Sequence, residues 1–509
     1  MGFPNEAFSF ARILEVMLSE RYPKAHFTVV NTSMTAINSH VILPIARSCA
    51  DFSPDFFVIY MGNNEIVGPY GVSGVLGAHA RQLELARMSI WFKTTRIGQL
   101  LACITQFTSA SNDTPTSWQG MSMFANSRLL ADDPRLASTY DQFEANLREI
   151  CSVGKKSGAS VVISTVATNL QDCAPFSSLP SSGLSVGETS ELELLLNKGA
   201  ELEANNRLAD AIACYESAIE IDGQYADSHF RLARCLVSVG RIAEAKHHYL
   251  CARDCDVLRF RADSTINERI RTAVAGREKE GLYLVDAEAA FENASQDGLL
   301  GHLLFFEHVH MTFKGNYTLA KSILEQIDEL LPTWVQSQLE PAEPISEAEC
   351  MNRLAYTDWS RLTSLVTINR LFAHPPFTEQ IYRDERDLRM SQEIQTLEAR
   401  LELQGFDAVI AAYEQSLERV RDNVPILKEF GILLLSRGDF DGAAAKFALL
   451  KKHLPHHPGP CVLLAEAYAA QGRRYEALKE CDAALKLSPR WKQAIQIRAE
   501  LQAALSRPQ

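Results

Sequence analysis

Two short stretches of this sequence combine residue types and spacing that could do chemistry. In Glu307-His308-Val309-His310 a carboxylate precedes a histidine by three residues, just ahead of a Gly-containing helix start. A carboxylate so placed can fix the tautomer of an imidazole and leave its other nitrogen free as a general base. The same residues also allow an exposed polar turn, a pair of metal ligands (His308 and His310) on one strand face, or histidines satisfied within the core; no third metal ligand of matching pattern accompanies them. The second stretch, Gly62-Asn63-Asn64-Glu65, ends the apolar run Pro54-Asp-Phe-Phe-Val-Ile-Tyr-Met61. The run reads as a buried strand and Gly-Asn-Asn as a sharp turn, and polar side chains just beyond such strands are where open α/β sheets bind ligands. An ordinary strand-to-loop turn uses the same residues.

The elements that must position these residues fall into two kinds. Residues 1–175 read as α/β: a helix near 8–21, a strand at His26–Asn31, a helix at about 35–51, the strand before Gly62, helices near 80–107 and 140–155, and a strand over Ala159–Val166. Residues 108–135, rich in Ser, Thr, Asn and Pro, read as a surface loop. Strands alternating with helices predict a parallel sheet covered on both faces. The α/β character returns at Gly281–Asp286, a strand, and at a helix of about 317–331 that follows Glu307–His310.

Between and after these parts the period changes. A linker rich in Ser, Gly and Pro at about 174–190 leads to Asn206-Arg-Leu-Ala-Asp-Ala211 with Tyr215 and Ala218, matched by Gly240-Arg-Ile-Ala-Glu-Ala245 with Tyr249 and Ala252 at an offset of 34 residues. Gly199 and Ala233 occupy the small helix-contact position of the two units. The same offset relates Gly438 to Gly472, Ala443 to Ala477 and Pro455 to Pro489, with a weaker copy at Phe406, Tyr413 and Leu417. The spacing resembles tetratricopeptide repeats, two inserted at 192–256 and about three at 390–491. Insertion into an exposed loop is tolerated because repeat units pack mainly on each other. A connecting segment at 332–389 and a terminal helix and tail at 492–509 complete the division.

Composition sets the outer limits. With 509 residues, 46% hydrophobic and 22% charged, the chain can form several cores. A net charge of −13 opposes general nucleic-acid binding, which needs a basic field. No apolar run reaches the length of a bilayer span, and the N-terminus lacks the order of a signal peptide. The eleven cysteines are scattered without a paired Cys-x-x-Cys, a pattern of buried thiols more than of a disulfide framework.

Residues 1–175 and 257–331 together resemble the SGNH (GDSL-type) hydrolase family, whose members include esterases, lipases and carbohydrate deacetylases. The resemblance implies a three-layer α/β/α fold with a parallel sheet, here interrupted and followed by the helical repeats. The family's Gly-x-Asn-Asp block matches Gly62–Glu65, making Asn64 the oxyanion-hole asparagine, and its Asp-x-x-His block matches Glu307–His310, making His310 the general base and Glu307 its orienting acid. Both acids are Glu where the family commonly has Asp. The block that normally supplies an oxyanion glycine matches Asn31-Thr-Ser-Met-Thr-Ala36, which has none; Ala36 or Ser33 would donate the backbone N–H, with Asn31 holding the loop.

The family nucleophile, a Ser in Gly-x-Ser after the first strand, has no counterpart: Met1-Gly-Phe-Pro-Asn5 reads as the tail of that block, Ser9 lies inside the first helix pattern and Ser33 sits in another block. The expectation is a chain truncated at its N-terminus, without the serine and without its interior first strand. The resemblance implies hydrolysis of an ester-bearing small molecule or polysaccharide by a Ser-His-acid triad, without metal or other cofactor, with the repeats contacting a protein partner. The alternatives are a non-catalytic repeat scaffold or adaptor, and an O-acyltransferase acting on polysaccharide. Localisation and any membrane association stay open, and no nucleic-acid partner is expected.

Overall fold

Three short runs rich in β-branched and aromatic residues pair in parallel. The computed structural model describes residues 2–74, 83–101, 120–124, 127–338, 344–419 and 423–506. Its strands β1 (Phe56–Tyr60), β2 (Ser160–Ser164) and β3 (Leu282–Val285) form one sheet in the order β1-β2-β3. Phe56 stands opposite Ser160, and Val161 opposite Leu282. Consecutive apolar residues suit a strand covered on both faces, and Val161, Val162 and Ile163 are all buried.

One face of the sheet carries α2 (Ser39–Ala50), α4 (Arg135–Lys156) and α9 (Ser264–Val274), while α3 (Leu83–Thr94) lies earlier in the chain than α4. Phe143, Leu147, Ile150 and Cys151 form a helical stripe on α4, which packs with Leu43, Ala46, Ile266 and Ile270 over Ile59, Val161 and Ile163. Gly154 brings α4 within reach of β2, since a Cβ there would stand 2.7 Å from Val161. Val162 points to the opposite face by the alternation of a strand. There α11 (Phe313–Asp328) packs on β2, β3 and α1 (Phe10–Arg21). Arg21 Nε pairs with Asp328 at 2.8 Å, and the Phe10 N–H donates to Asn316 Oδ1 at 2.9 Å.

Helices nevertheless dominate the chain, and the sheet has three strands among the described residues. The expected strand at His26–Asn31 is the principal correction. Those residues alternate between half-buried and exposed without ladder partners, and Val30 is 74% exposed. A β-prone sequence needs a neighbour to satisfy its backbone, and none of the described strands lies beside it. Other bounds shift by a few residues: the helix expected near 140–155 begins at Arg135, and that expected at 317–331 begins at Phe313, where the Thr312 hydroxyl accepts the Gly315 N–H. Most of the expected loop at 108–135, and both ends of the helix expected near 80–107, lie outside the described residues.

Between β2 and β3 the chain forms two helical hairpins, α5 (Val186–Ala204) with α6 (Leu208–Ile221) and α7 (Ala226–Ser238) with α8 (Ile242–Asp254). A Cβ at Gly199 would stand 2.4 Å from the Tyr215 ring, so the missing side chain is what lets α5 and α6 close. Tyr215, Ala218, Ala233, Ala245, Tyr249 and Ala252 are all buried, filling the contacts that the 34-residue spacing marks. The linker before them is pinned and not loose. Asp256 Oδ2 and Oδ1 accept the N–H groups of Phe176 and Ser177 at 2.8 and 3.2 Å, and Phe176 is fully buried. Then come α10 (Ala287–Ala294), α11 and the short α12 (Thr333–Gln336).

The chain divides into two compact units, the one above comprising Met1–Pro4, Ser9–Ile345 and Ser364–Ile394. The second comprises Asn5–Phe8, Ser346–Thr363 and Gln395–Gln509. Along the chain α13 (Glu347–Arg353), α14 (Asp358–Phe372) and α15 (Arg383–Gln404) precede α16 (Asp407–Arg419), α17 (Val424–Ser436), α18 (Phe440–His453), α19 (Gly459–Ala470), α20 (Arg474–Leu487) and α21 (Lys492–Ser506). Helices α17 to α21 of the second unit stack in sequence order. Its core repeats the logic of the first hairpins: Gly431 abuts the Phe447 ring, and Tyr413 stacks on Phe430 with centroids 5.3 Å apart.

Candidate functional site

The first motif leaves the carboxyl end of β1, and the second lies against the residues that follow the carboxyl end of β2. β1 runs into Met61-Gly62, where a Cβ on Gly62 would stand 2.8 Å from Ile266 and 3.2 Å from Val166, so a glycine is required by the close approach of α9 and the end of β2. Asn63 Oδ1 then accepts the Ala262 N–H at 3.0 Å. Asn64 Nδ2 donates to the Ile37 carbonyl at 3.2 Å, which ties its amide to the end of the Asn31–Ala36 loop. In that loop Asn31 Oδ1 accepts from the Ser33 N–H at 3.1 Å and from its hydroxyl at 2.5 Å. Ala36 has φ +58°, the left-handed region that glycine favours.

Glu65 turns inward and is buried. Its carboxylate accepts the Ser39 N–H at 2.8 Å and the Ser39 hydroxyl at 2.7 Å. Asn146 Nδ2 donates to the same hydroxyl at 3.1 Å and sits 3.2 Å from His40 Nδ1. Burial raises the Glu65 carboxyl to about 7 and lowers the His40 imidazole to about 4. Sequence reasoning missed this Glu65–Ser39–Asn146 cluster. Its one visible signal is Asn146, a polar residue inside the apolar stripe Phe143–Ile150.

The second motif stands on the extension of β2. Asn169 donates its backbone N–H to the His308 carbonyl at 3.0 Å and its side-chain amide to the Glu307 carbonyl at 2.9 Å. The Glu307 carboxylate folds back over its own turn: it accepts the N–H groups of His308 and His310 at 2.6 and 2.8 Å and a longer contact from Val309. It also bonds Nδ1 of His310. A buried carboxylate held by this many donors is fixed in place and leaves Nε2 of His310 as the open nitrogen. Glu307 is 3% exposed and the His310 side chain 26%, with the Phe3 ring 4.5 Å from the imidazole. Burial lowers the pKa of His310.

His308 is placed otherwise. It is buried edge-on among Phe176, Phe260 and Phe377, and its Nδ1 lies beside Glu307 without hydrogen-bond geometry. Burial holds it well below its ordinary pKa, so it is a core side chain. The structure therefore joins Glu307 to His310, sets Gly62 and Asn64 on the loop that follows β1, and ties Asn64 to the Ile37 carbonyl. Among the described residues no hydroxyl or thiol is hydrogen-bonded to His310, and no group of three or more His, Cys, Asp or Glu is placed to hold a metal ion. Among the same residues no helix is long and apolar enough to cross a membrane.

A separate concave surface lies in the same unit, between α5 and α7. Ala200, Glu203 and Ala204 on α5, and Arg231, Arg234, Cys235 and Ser238 on α7, follow helical i, i+3, i+4 spacing. They line a cavity of about 660 Å³.

Comparison with known proteins bears on the repeats. The tetratricopeptide repeat family matches residues 202–249. No curated protein matches the chain. Among solved structures, similar chains include YrrB, a TPR protein with an unusual peptide-binding site (14% identity, 62% of this chain and 95% of that one, TM-score 0.19). They also include the TPR2AB domain of yeast Sti1 in complex with pHSP90 (14% identity, 62% of this chain and 99% of that one, TM-score 0.18). Yeast Tom70 is similar at 15% identity over 62% of this chain and 81% of its own, with a TM-score of 0.17. Residues 202–249, from the end of α5 into α8, thus match the tetratricopeptide repeat family where the 34-residue spacing places the inserted units.

Proposed function

We propose that this protein is a tetratricopeptide-repeat adaptor that holds a protein partner in the grooves of its repeats. The observation that carries this reading is the α5–α7 groove, which keeps charged side chains on a concave face beside an open cavity of about 660 Å³. Proximity labelling by the full chain in its native cells tests it. The adaptor reading expects a set of labelled proteins that is lost when Gly199→Val and Gly431→Val disrupt the repeats, and kept in His310→Ala. Labelling that is indifferent to the repeats would overturn it.

The Glu307–His310 pair favours a second reading, an SGNH-type hydrolase or O-acyltransferase acting on an ester-bearing small molecule or polysaccharide. In it His310 Nε2 takes the proton of an attacking serine hydroxyl, Glu307 steadies the imidazole, and Asn64 with the backbone N–H groups of Gly62 and Ala36 stabilises the oxyanion. This reading needs a nucleophile that no described residue places on His310. A fluorophosphonate probe distinguishes the two: labelling of a serine supports the hydrolase or transferase, and its absence supports the adaptor. If the probe labels the protein, unreacted Asn64→Ala protein would show ester turnover lower than unreacted wild type by about 100- to 1,000-fold, the usual loss of one oxyanion donor.

A further inference from the structure

The groove between α5 and α7 is not empty along its length. Residues Gln380–Glu385 of the same unit lie in it, with Tyr382 at the centre. The Tyr382 hydroxyl donates to Glu203 of α5 at 2.7 Å and accepts from Arg231 of α7 at 3.3 Å. The guanidinium of Arg234 lies 3.8 Å over the tyrosine ring and reaches on to Glu385, three residues later, at 2.9 Å. A planar cation stacked on an aromatic face while paired with a carboxylate is a recognition geometry, specific for both groups. The segment's start is held as well, because Gln380 Nε2 donates to the Ala174 carbonyl at 2.6 Å.

Two observations distinguish this contact from ordinary core packing. It is polar and partly exposed, with Arg231, Arg234 and Glu203 keeping 20%, 31% and 17% of their side-chain surface. Tyr382 also has φ +57°, a conformation that a bulky residue adopts only when its surroundings impose it. The cavity beside it extends past Tyr382 to Asn206, Ser238 and Tyr249. The groove thus satisfies one tyrosine and one acid, and has room for more than the segment supplies.

We propose that the inserted repeat pair is a receptor for a peptide bearing Tyr-Xaa-Xaa-Glu, and that its site is held in cis by Tyr382–Glu385. This deepens the adaptor reading and rests on it: a partner would carry the same element and displace the internal copy. Glu203 selects a donor hydroxyl, Arg234 selects the ring and the acid, and the cis copy weakens access for any peptide lacking both.

The test uses the full chain and a fluorescent synthetic peptide of residues 377–391. The chain carrying Tyr382→Ala should bind it at least tenfold more tightly than the wild-type chain, whose own segment competes. A peptide carrying Tyr382→Phe, or a Tyr382→Ala chain that also carries Arg234→Ala, should bind at least tenfold more weakly. Equal binding by wild type and Tyr382→Ala, or no binding by a folded Tyr382→Ala chain, overturns the inference. Should Tyr382→Ala fail to fold, hydrogen exchange on Arg234→Ala alone decides: amides of 380–386 should exchange at least tenfold faster with the sheet unchanged, and unchanged exchange overturns it. Partner labelling that persists while the peptide fails to bind would sink this inference and leave the adaptor reading standing.

Discussion

Glu65 closes over Ser39 from outside its helix, accepting both the backbone N–H and the hydroxyl of the first residue of α2. The helix has no side-chain cap of its own, since the Asn38 side chain is turned to the Pro69 carbonyl instead. A carboxyl in the turn after β1 therefore terminates a helix two elements away in the sheet's outer layer, and couples the Asn64 turn to the Asn31–Ala36 loop that precedes it.

This arrangement makes stability depend on pH in an unusual direction. Burial raises the Glu65 carboxyl from 4.5 to about 7, so the folded chain keeps a proton that the unfolded chain has released. The contribution is fully present below about pH 4.5 and is lost as pH rises through 7, an effect of roughly 3 kcal/mol over the window. In thermal melts the advantage of Glu65→Gln over wild type should grow between pH 5 and 7.5; a constant difference would show that Glu65 is ionised throughout.

The tautomer of His310 is a second readout. With Nδ1 bonded to Glu307, the neutral ring should carry its proton on Nδ1 and show an unprotonated Nε2 in 15N spectra at neutral pH. Glu307→Ala should release the ring to the other tautomer. It should also cost about 1–3 kcal/mol, because the buried N–H groups of His308 and His310 lose their acceptor.

Repeat packing has its own sensitive point. Gly199→Ala places a methyl 2.4 Å from the buried Tyr215 ring, which cannot retreat without opening the hairpin. Chemical denaturation should show a loss of about 1–3 kcal/mol. Glycine at Gly240, where a Cβ meets nothing within 4 Å, offers the contrast: its cost comes only from φ +80° and should be smaller.

Asp256 should matter more than its position outside any helix suggests. It accepts three backbone N–H groups, from Phe176, Ser177 and Leu258, and pairs with Arg261 at 3.2 Å. Asp256→Ala strands Arg261 as a buried charge, an expected loss of about 3–5 kcal/mol. Limited proteolysis should then cut within 177–184 at a rate at which the wild-type chain stays intact.

Much of this was readable from residue order alone. The 34-residue offset placed Gly199 at a small helix-contact position and Tyr215 at a repeated aromatic position, because repeat packing is local and each unit restates the rule. The β1 and β2 runs were legible because buried parallel strands are continuously apolar. His26–Asn31 carried the same signature and formed no strand, because a ladder needs a neighbour, and pairing partners are not written in a strand's own sequence. At the candidate site, spacing joined Glu307 to His310, since both lie within one turn. The inward course of Glu65 and the seat of Tyr382 escaped, since each depends on residues far off in the chain: Ser39 for one, Glu203 and Arg234 for the other.

The placement of two helical hairpins between β2 and β3 bears on how the protein is made. Residues 165–281 separate the two strands, so β3 finds its slot only after a long excursion of chain has been brought back. An unstructured excursion of that length would impose a heavy closure penalty and slow the search. Hairpins built from local contacts compact early and bring their ends together, so the repeats act as a folding clamp on the sheet. Slowing their collapse should therefore delay β3, even where the substituted residue touches no strand.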